Sequence, residues 1–229
     1  MNFNNNCDFE KALLLVSKSF DYDELIELMQ HDNIAEKQYA ILSINELKTE
    51  NDGKLLCSNL VGQDGKIRES VAFKLNELFK NNDYAKYLEN IENFKIMLEG
   101  IMDINGNVCR NILDIDNDKF LDYLSGTIVN KIKNILEDVS KLSLNEKQYV
   151  ISKRYFQLYW ALECLCKVHN KINFKNIEHI LNQTAQIEDY TIKEKTAKIC
   201  WLYKTDISSD LKRILENSNN YFVNRYLCF

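Results

Sequence analysis

Residues 62–78 read GQDGKIRESVAFKLNEL. On a helical wheel counted from Ile67, the residues Leu78, Val71, Leu75 and Ala72 follow in that order within an arc of about 140°, which makes one broad apolar stripe. Arg68 falls between Leu75 and Ala72, inside that stripe. An arginine here has to lay its stem along apolar neighbours and find an acceptor for its guanidinium.

The same design recurs along the chain. AEKQYAILSINEL (Ala35–Leu47) aligns without a gap with KIRESVAFKLNEL (Lys66–Leu78), and both end in Asn-Glu-Leu. IKEKTAKICWLY (Ile192–Tyr203) aligns with the stretch from Ile67, and EKQYVI from Glu146 repeats EKQYAI from Glu36. In the first copy Ala40, Ile41, Ile44 and Leu47 hold the stripe and Lys37 the arginine position. In the third, Thr196, Ala197, Cys200 and Tyr203 hold it with Lys193. An apolar helix precedes each copy after a polar turn, predicted over Tyr22–Gln30, Lys54–Val61 and Phe174–Leu181. Such pairs cannot bury both apolar faces alone and gain a continuous core by stacking.

Composition agrees with helices throughout. The chain has 229 residues, no proline and six glycines, where average usage predicts roughly eleven and sixteen. All-β folds need more turn-forming residues, and βαβ folds need recurrent β-branched runs. An AT-rich genome would deplete proline by itself, so the missing proline is supporting evidence. The 45% hydrophobic content is enough for a core without disulfides or metal, and no linker-like segment divides the chain, which reads as one α-helical domain over 1–229. Seven cysteines at 7, 57, 109, 164, 166, 200 and 228 read as reduced, partly buried thiols of a cytoplasmic protein. The longest apolar run near the N-terminus, ALLLV, is too short for a signal core or a membrane span. A net charge of −5 without a dense basic cluster argues against a nucleic-acid partner.

Leu60, Asp64, Ile67, Arg68, Ala72, Leu75 and Leu78 resemble a HEAT repeat, whose second helix begins after an Asp-containing turn with a Val/Ile-Arg pair. The resemblance implies an irregular, right-handed α-solenoid of antiparallel helix pairs, about six or seven of them. It also implies a ladder between neighbouring repeats in which Asp64 and Arg68 take part. Lys37, Lys147 and Lys193 stand at the ladder position elsewhere, and lysine lacks the planar fork of arginine. The family's usual proline near the second helix is missing. In NGNVCRNILDIDND only Val108 and Arg110 keep the pattern.

Candidate chemistry is sparse. RYFQLYWALECLCKVH (Arg154–His169) is apolar all round, as a central core helix is; the alternative is a stacking pocket of Tyr155, Tyr159 and Trp160. Cys164 and Cys166 point to opposite sides of a helix, and Cys166 with His169 gives two ligands, short of a closed metal site. His31 and His179 lie near predicted helix ends. Asp114, Asp116, Asp118 and Asp122 alternate as in a calcium loop but lack its glycine and terminal glutamate, so they read as a solvated cap to a helix from Lys119. No cofactor, metal or catalytic set is expected.

Leu42 and Phe73 share one repeat position on the far side of the wheel from the stripe, where second helices of a solenoid line the concave side. They either widen contact with the preceding helix or seat a protein partner, with Tyr39, Glu46, Glu69 and Glu77 flanking them and the acidic rim favouring a basic partner. The leading expectation is therefore a non-enzymatic interaction scaffold. The alternative is an enzyme or nucleic-acid binder, since HEAT-like bacterial proteins include DNA base glycosylases and chromophore lyases. A glycosylase-like site would join Trp160 or Trp201 to an acid such as Asp189 within a basic groove.

Overall fold

Asparagine and aspartate provide the punctuation that proline and glycine provide elsewhere. The computed structural model describes residues 13–142, 146–204 and 207–227. Its helices are α1 (Tyr22–Leu28), α2 (Ile34–Ser43), α3 (Glu50–Ser58), α4 (Gly65–Leu78), α5 (Asn82–Ala85), α6 (Ile91–Ile101) and α7 (Gly106–Leu113). They continue with α8 (Asp118–Ser140), α9 (Gln148–Lys167), α10 (Glu178–Ala185), α11 (Tyr190–Tyr203), α12 (Ser209–Glu216) and α13 (Tyr221–Asn224). Asp21, Asn33, Asp64, Asn81, Asn90, Asn105, Asp189 and Asn220 each accept a backbone N–H of the helix they precede. Asp21 with Glu24 and Thr49 with Asp52 close reciprocal capping boxes. The chain is all-helical, with no strand among the described residues, and no helix of these is long and apolar enough to cross a membrane.

The chain divides into two compact units, Met1–Asn117 and Asp118–Phe229. In the first, α1 packs on α2, α3 on α4, and α6 on α7, while α4 also lies against both α2 and α7 and α3 lies against α6. The stripe of α4 is wholly buried at Ile67, Val71, Ala72, Leu75 and Leu78, where it meets a core including Met29, Ile41, Leu56, Leu60, Met97, Ile101 and Ile112. In the second unit α8 packs on α9, α10 on α11 and α12 on α13, while α11 lies against both α9 and α13 and α10 against α8 and α12. Its core includes Phe120, Leu124, Ile128, Leu158, Leu165, Ile180 and Ile199.

Several boundaries differ from the sequence reading. The first copy predicts helix to Leu47, but α2 ends at Ser43, where Ile44 turns extended. Ile44 and Leu47 are still buried; the following strip is anchored by Tyr22, whose hydroxyl accepts from the Lys48 N–H at 3.1 Å and donates to Asp52 at 2.7 Å. The predicted helix over Phe174–Leu181 is a 3₁₀ turn, Phe174–Asn176, followed by α10 from Glu178, with Ile177 between them at φ −118°. Arg154–His169 forms most of α9, with Leu158, Trp160, Ala161, Leu162, Cys164, Leu165 and Cys166 buried.

Thr196 occupies a stripe position held by Ala40 and Val71 in the other copies, and its hydroxyl bonds Thr184 at 2.8 Å, joining α11 to α10 inside the core. Gly53 marks a close approach between α3 and a later segment, since a Cβ there would collide with the backbone carbonyl of Tyr87. Backbone cannot swing aside as a side chain can. Gly53→Ala is therefore expected to destabilise the first unit by about 2 kcal/mol, read as a lower urea midpoint at unchanged slope.

Candidate functional site

The N-caps give the second helices of the pairs a common register. Four residues beyond Asn33, Asp64, Asn105 and Asp189 stand Lys37, Arg68, Cys109 and Lys193; nine residues beyond stand Leu42, Phe73, Asp114 and Lys198. The first position faces a neighbouring turn and the second faces outward.

At the first position Arg68 makes a two-point contact with Asp103, Nε to Oδ2 at 2.6 Å and Nη2 to Oδ1 at 3.0 Å, and its Nη1 donates to the Gln63 carbonyl. Asp64 takes no part in this fork; its carboxylate accepts the Lys66 N–H at 2.8 Å and caps α4. Repeat alignment does not reveal Asp103, because it stands two residues before its cap, where the other copies carry His31, Gly62 and Ile187. Lys37 is buried with Nζ 3.5 Å from the Gln63 amide oxygen, and Lys193 is buried against Glu188 at 3.2 Å. Arg110 falls one residue past the ladder position, which Cys109 holds; its thiol lies 3.1 Å from the Asp103 carbonyl oxygen. Lys147 stands at the start of α9, exposed, and not within a helix as Lys37 does, so the EKQY repeat is a likeness of letters out of structural register.

At the outward position Leu42 is 43% and Phe73 45% exposed, on the two neighbouring helices α2 and α4. Gln38 on α2 donates to Ser70 on α4 at 3.1 Å, tying the two helices beneath them. Of the expected flanking groups, Tyr39 packs edge-on against Phe20 at 5.5 Å between ring centres. Glu69 accepts from the side-chain amides of Asn105 at 3.1 Å and Asn107 at 2.8 Å, which fixes the start of α7. Glu77 pairs with Lys74 at 2.8 Å and Glu46 with Lys48 at 3.6 Å. Glu69 is thus committed to positioning a helix, while Glu46 and Glu77 stay at the exposed rim.

In the second unit the outward position is charged. Glu163 on α9 lies between Lys195 and Lys198 of α11, each 2.9 Å away, and the Lys195 ammonium sits 4.7 Å from the centre of the Tyr159 ring. Burial by itself would push the Glu163 carboxyl up, but bonds and charge from Lys198 and Lys195 outweigh it and hold the group below its ordinary value. Lys195 and Lys198 are lifted above the usual lysine value because the carboxylate outweighs their burial. The cluster is therefore a fixed ion triad at neutral pH.

Tyr159 and Trp160 meet edge-on at 5.4 Å, and Trp160 is buried, its Nε1 without a hydrogen-bond partner among the described residues. Tyr155 is half-buried on the same helix. Trp201 is exposed and tilted against Tyr226, and Asp189 is used up as the cap of α11, accepting from Thr191 and Ile192. Cys57, Cys109, Cys164, Cys166 and Cys200 are buried free thiols; burial pushes those of Cys166 and Cys200 up to about 12. Cys7 and Cys228 lie outside the described residues. His169 bonds the Cys166 carbonyl at the end of α9 at 2.8 Å, and His31 meets Glu36 at 2.9 Å. No group of three or more His, Cys, Asp or Glu able to hold a metal comes together among the described residues, the Asp114–Asp122 acids included.

No family model and no curated protein matches the chain. Among solved structures it is similar to two engineered proteins, both crystal structures of Northeast Structural Genomics Consortium targets. Identities are 13% and 14%, with 91% of this chain and 94% and 96% of the others covered, at TM-scores of 0.42 and 0.40.

Two substitutions test these contacts. Arg68→Ala leaves the Asp103 carboxylate, 11% exposed, without its partner, and is expected to cost about 3 kcal/mol in a urea titration. Glu163→Gln is expected to cost about 2 kcal/mol at pH 7, since Lys195 keeps its charge without a counter-ion. Glu163 is depressed in the folded chain, so its contribution is complete above the ordinary carboxylate value and disappears as pH falls through the lower folded one. The stability gap between wild type and Glu163→Gln should accordingly close in acid.

Proposed function

We propose that the chain is a non-enzymatic protein–protein interaction scaffold of irregular HEAT-like helix pairs, running antiparallel in a right-handed α-solenoid. On this reading it acts in a reducing, cytoplasmic setting, which suits its buried free thiols, and α2 and α4 offer the concave face of the first unit to a protein segment. The repeat reading is supported by the shared cap register, by α4 packing between α2 and α7, and by Arg68 bridging to the turn within the next pair, between α6 and α7.

The observation that carries the binding role is the pair Leu42 and Phe73, at one repeat position on adjoining helices, each more than two-fifths exposed. The rim carries Glu46 and Glu77, and the chain bears a net charge of −5, so the fitting partner presents apolar side chains among basic ones.

The test compares partner capture by wild type, by Leu42→Asp/Phe73→Asp, and by Ile91→Asp, which alters a still more exposed apolar residue on α6. The double variant is expected to lose the partner while its thermal midpoint moves little, exposed sites costing about 0.5 kcal/mol or less. Ile91→Asp should keep it. Equal capture by all three proteins would refute the face.

A further inference from the structure

We infer that the second unit holds a binding cleft for a small amphipathic anion, a phosphate or carboxylate head on an apolar chain, between α8, α10 and the turns from His169 to Asn176. The inference stands apart from the role given to α2 and α4. Two adjoining cavities form the cleft, sharing Lys133 of α8 and His179 of α10 among their walls.

The first cavity, about 480 Å³, is lined by Lys133, Lys171, Lys175 and His179 with neutral polar groups such as Asn173, and by no carboxylate. Lys171 is held in place by Asp122 at 2.6 Å, whereas Lys133 and Lys175 have no ion-pair partner among the described residues. Like charges brought to one concavity repel each other, and an anion between them removes that cost. The second cavity, about 630 Å³, is walled by Leu136, Val139 and Ile187, and Glu137 lines it. That carboxylate repels an anionic head, so a ligand has one orientation: head among the lysines, chain along the apolar wall.

Gly126 is the second observation. It lies inside the 23-residue helix α8 and lines the lysine cavity, where a Cβ would meet nothing within 4 Å. A glycine inside a helix costs about 1 kcal/mol against alanine, and no neighbouring protein atom requires it here. The bare α8 backbone there leaves room for a ligand head to approach it. Repeat reading and charge counting both pass over this site, because its lysines come from two distant segments of an acidic chain.

The test is titration calorimetry of the whole chain at low salt with inorganic phosphate, octyl phosphate and octanoate. Octyl phosphate or octanoate is expected to bind at least about tenfold tighter than inorganic phosphate, a few buried methylenes sufficing for that. Lys133→Ala/Lys175→Ala should weaken the tight probe about tenfold or more. Gly126→Leu should weaken it similarly while raising the thermal midpoint, which separates a blocked cleft from a damaged fold. Preference between octyl phosphate and octanoate tells the two heads apart. Absence of binding by both, or binding unchanged in both variants, overturns the cleft. So does binding to anionic lipid vesicles without binding of either soluble probe, which places the lysines on a membrane surface.

Discussion

The structure depends on one packing constraint: a helix with an apolar stripe broader than its own pair can cover must take part of its lining from the next pair. Seven residues of α4 are buried, and they are covered from three directions, by α3, α2 and α7. No two-helix element of the first unit could supply that cover alone. The same holds for α11, which lies against α9, α10 and α13 and buries Ile192, Thr196, Ala197, Ile199 and Cys200. Where a stripe position turns polar, as at Thr196, the neighbouring helix supplies the partner hydroxyl.

Given that constraint, the positions left outside the stripe are free to differ. At one outward position the first unit places Leu42 and Phe73, and the second places Lys198 against Glu163. The former exposes apolar surface; the latter sets two lysines on one carboxylate and covers a tyrosine face with Lys195. Arg68 belongs to the helical frame: its fork onto Asp103 joins α4 to the turn before α7, the contact that an apolar side chain at that position could not make.

Local rules made the helices legible. The stripe over 66–78 emerges as α4 almost residue for residue, and the third copy emerges within α11, because buried apolar spacing and an Asn or Asp cap act within a few residues of each other. The same rules failed at the end of α2, where pairing of Tyr22 with Lys48 and Asp52 from another helix favours an extended strip after Ser43. They failed again at Lys147, where identical letters stand outside the helix.

The sequence by itself determined the helical class and the apolar faces, set by spacing along one segment, and it placed Leu42 and Phe73 off the stripe while leaving open whether a neighbouring helix covers them. Tertiary structure alone decided that Arg68 meets Asp103, that Glu69 anchors Asn105 and Asn107, that Glu163 lies between two lysines, and that Lys133, Lys171 and Lys175 line one cavity. The segments that supply those groups lie tens of residues apart, and electrostatic contact depends on distance in space, which no periodicity along the chain encodes.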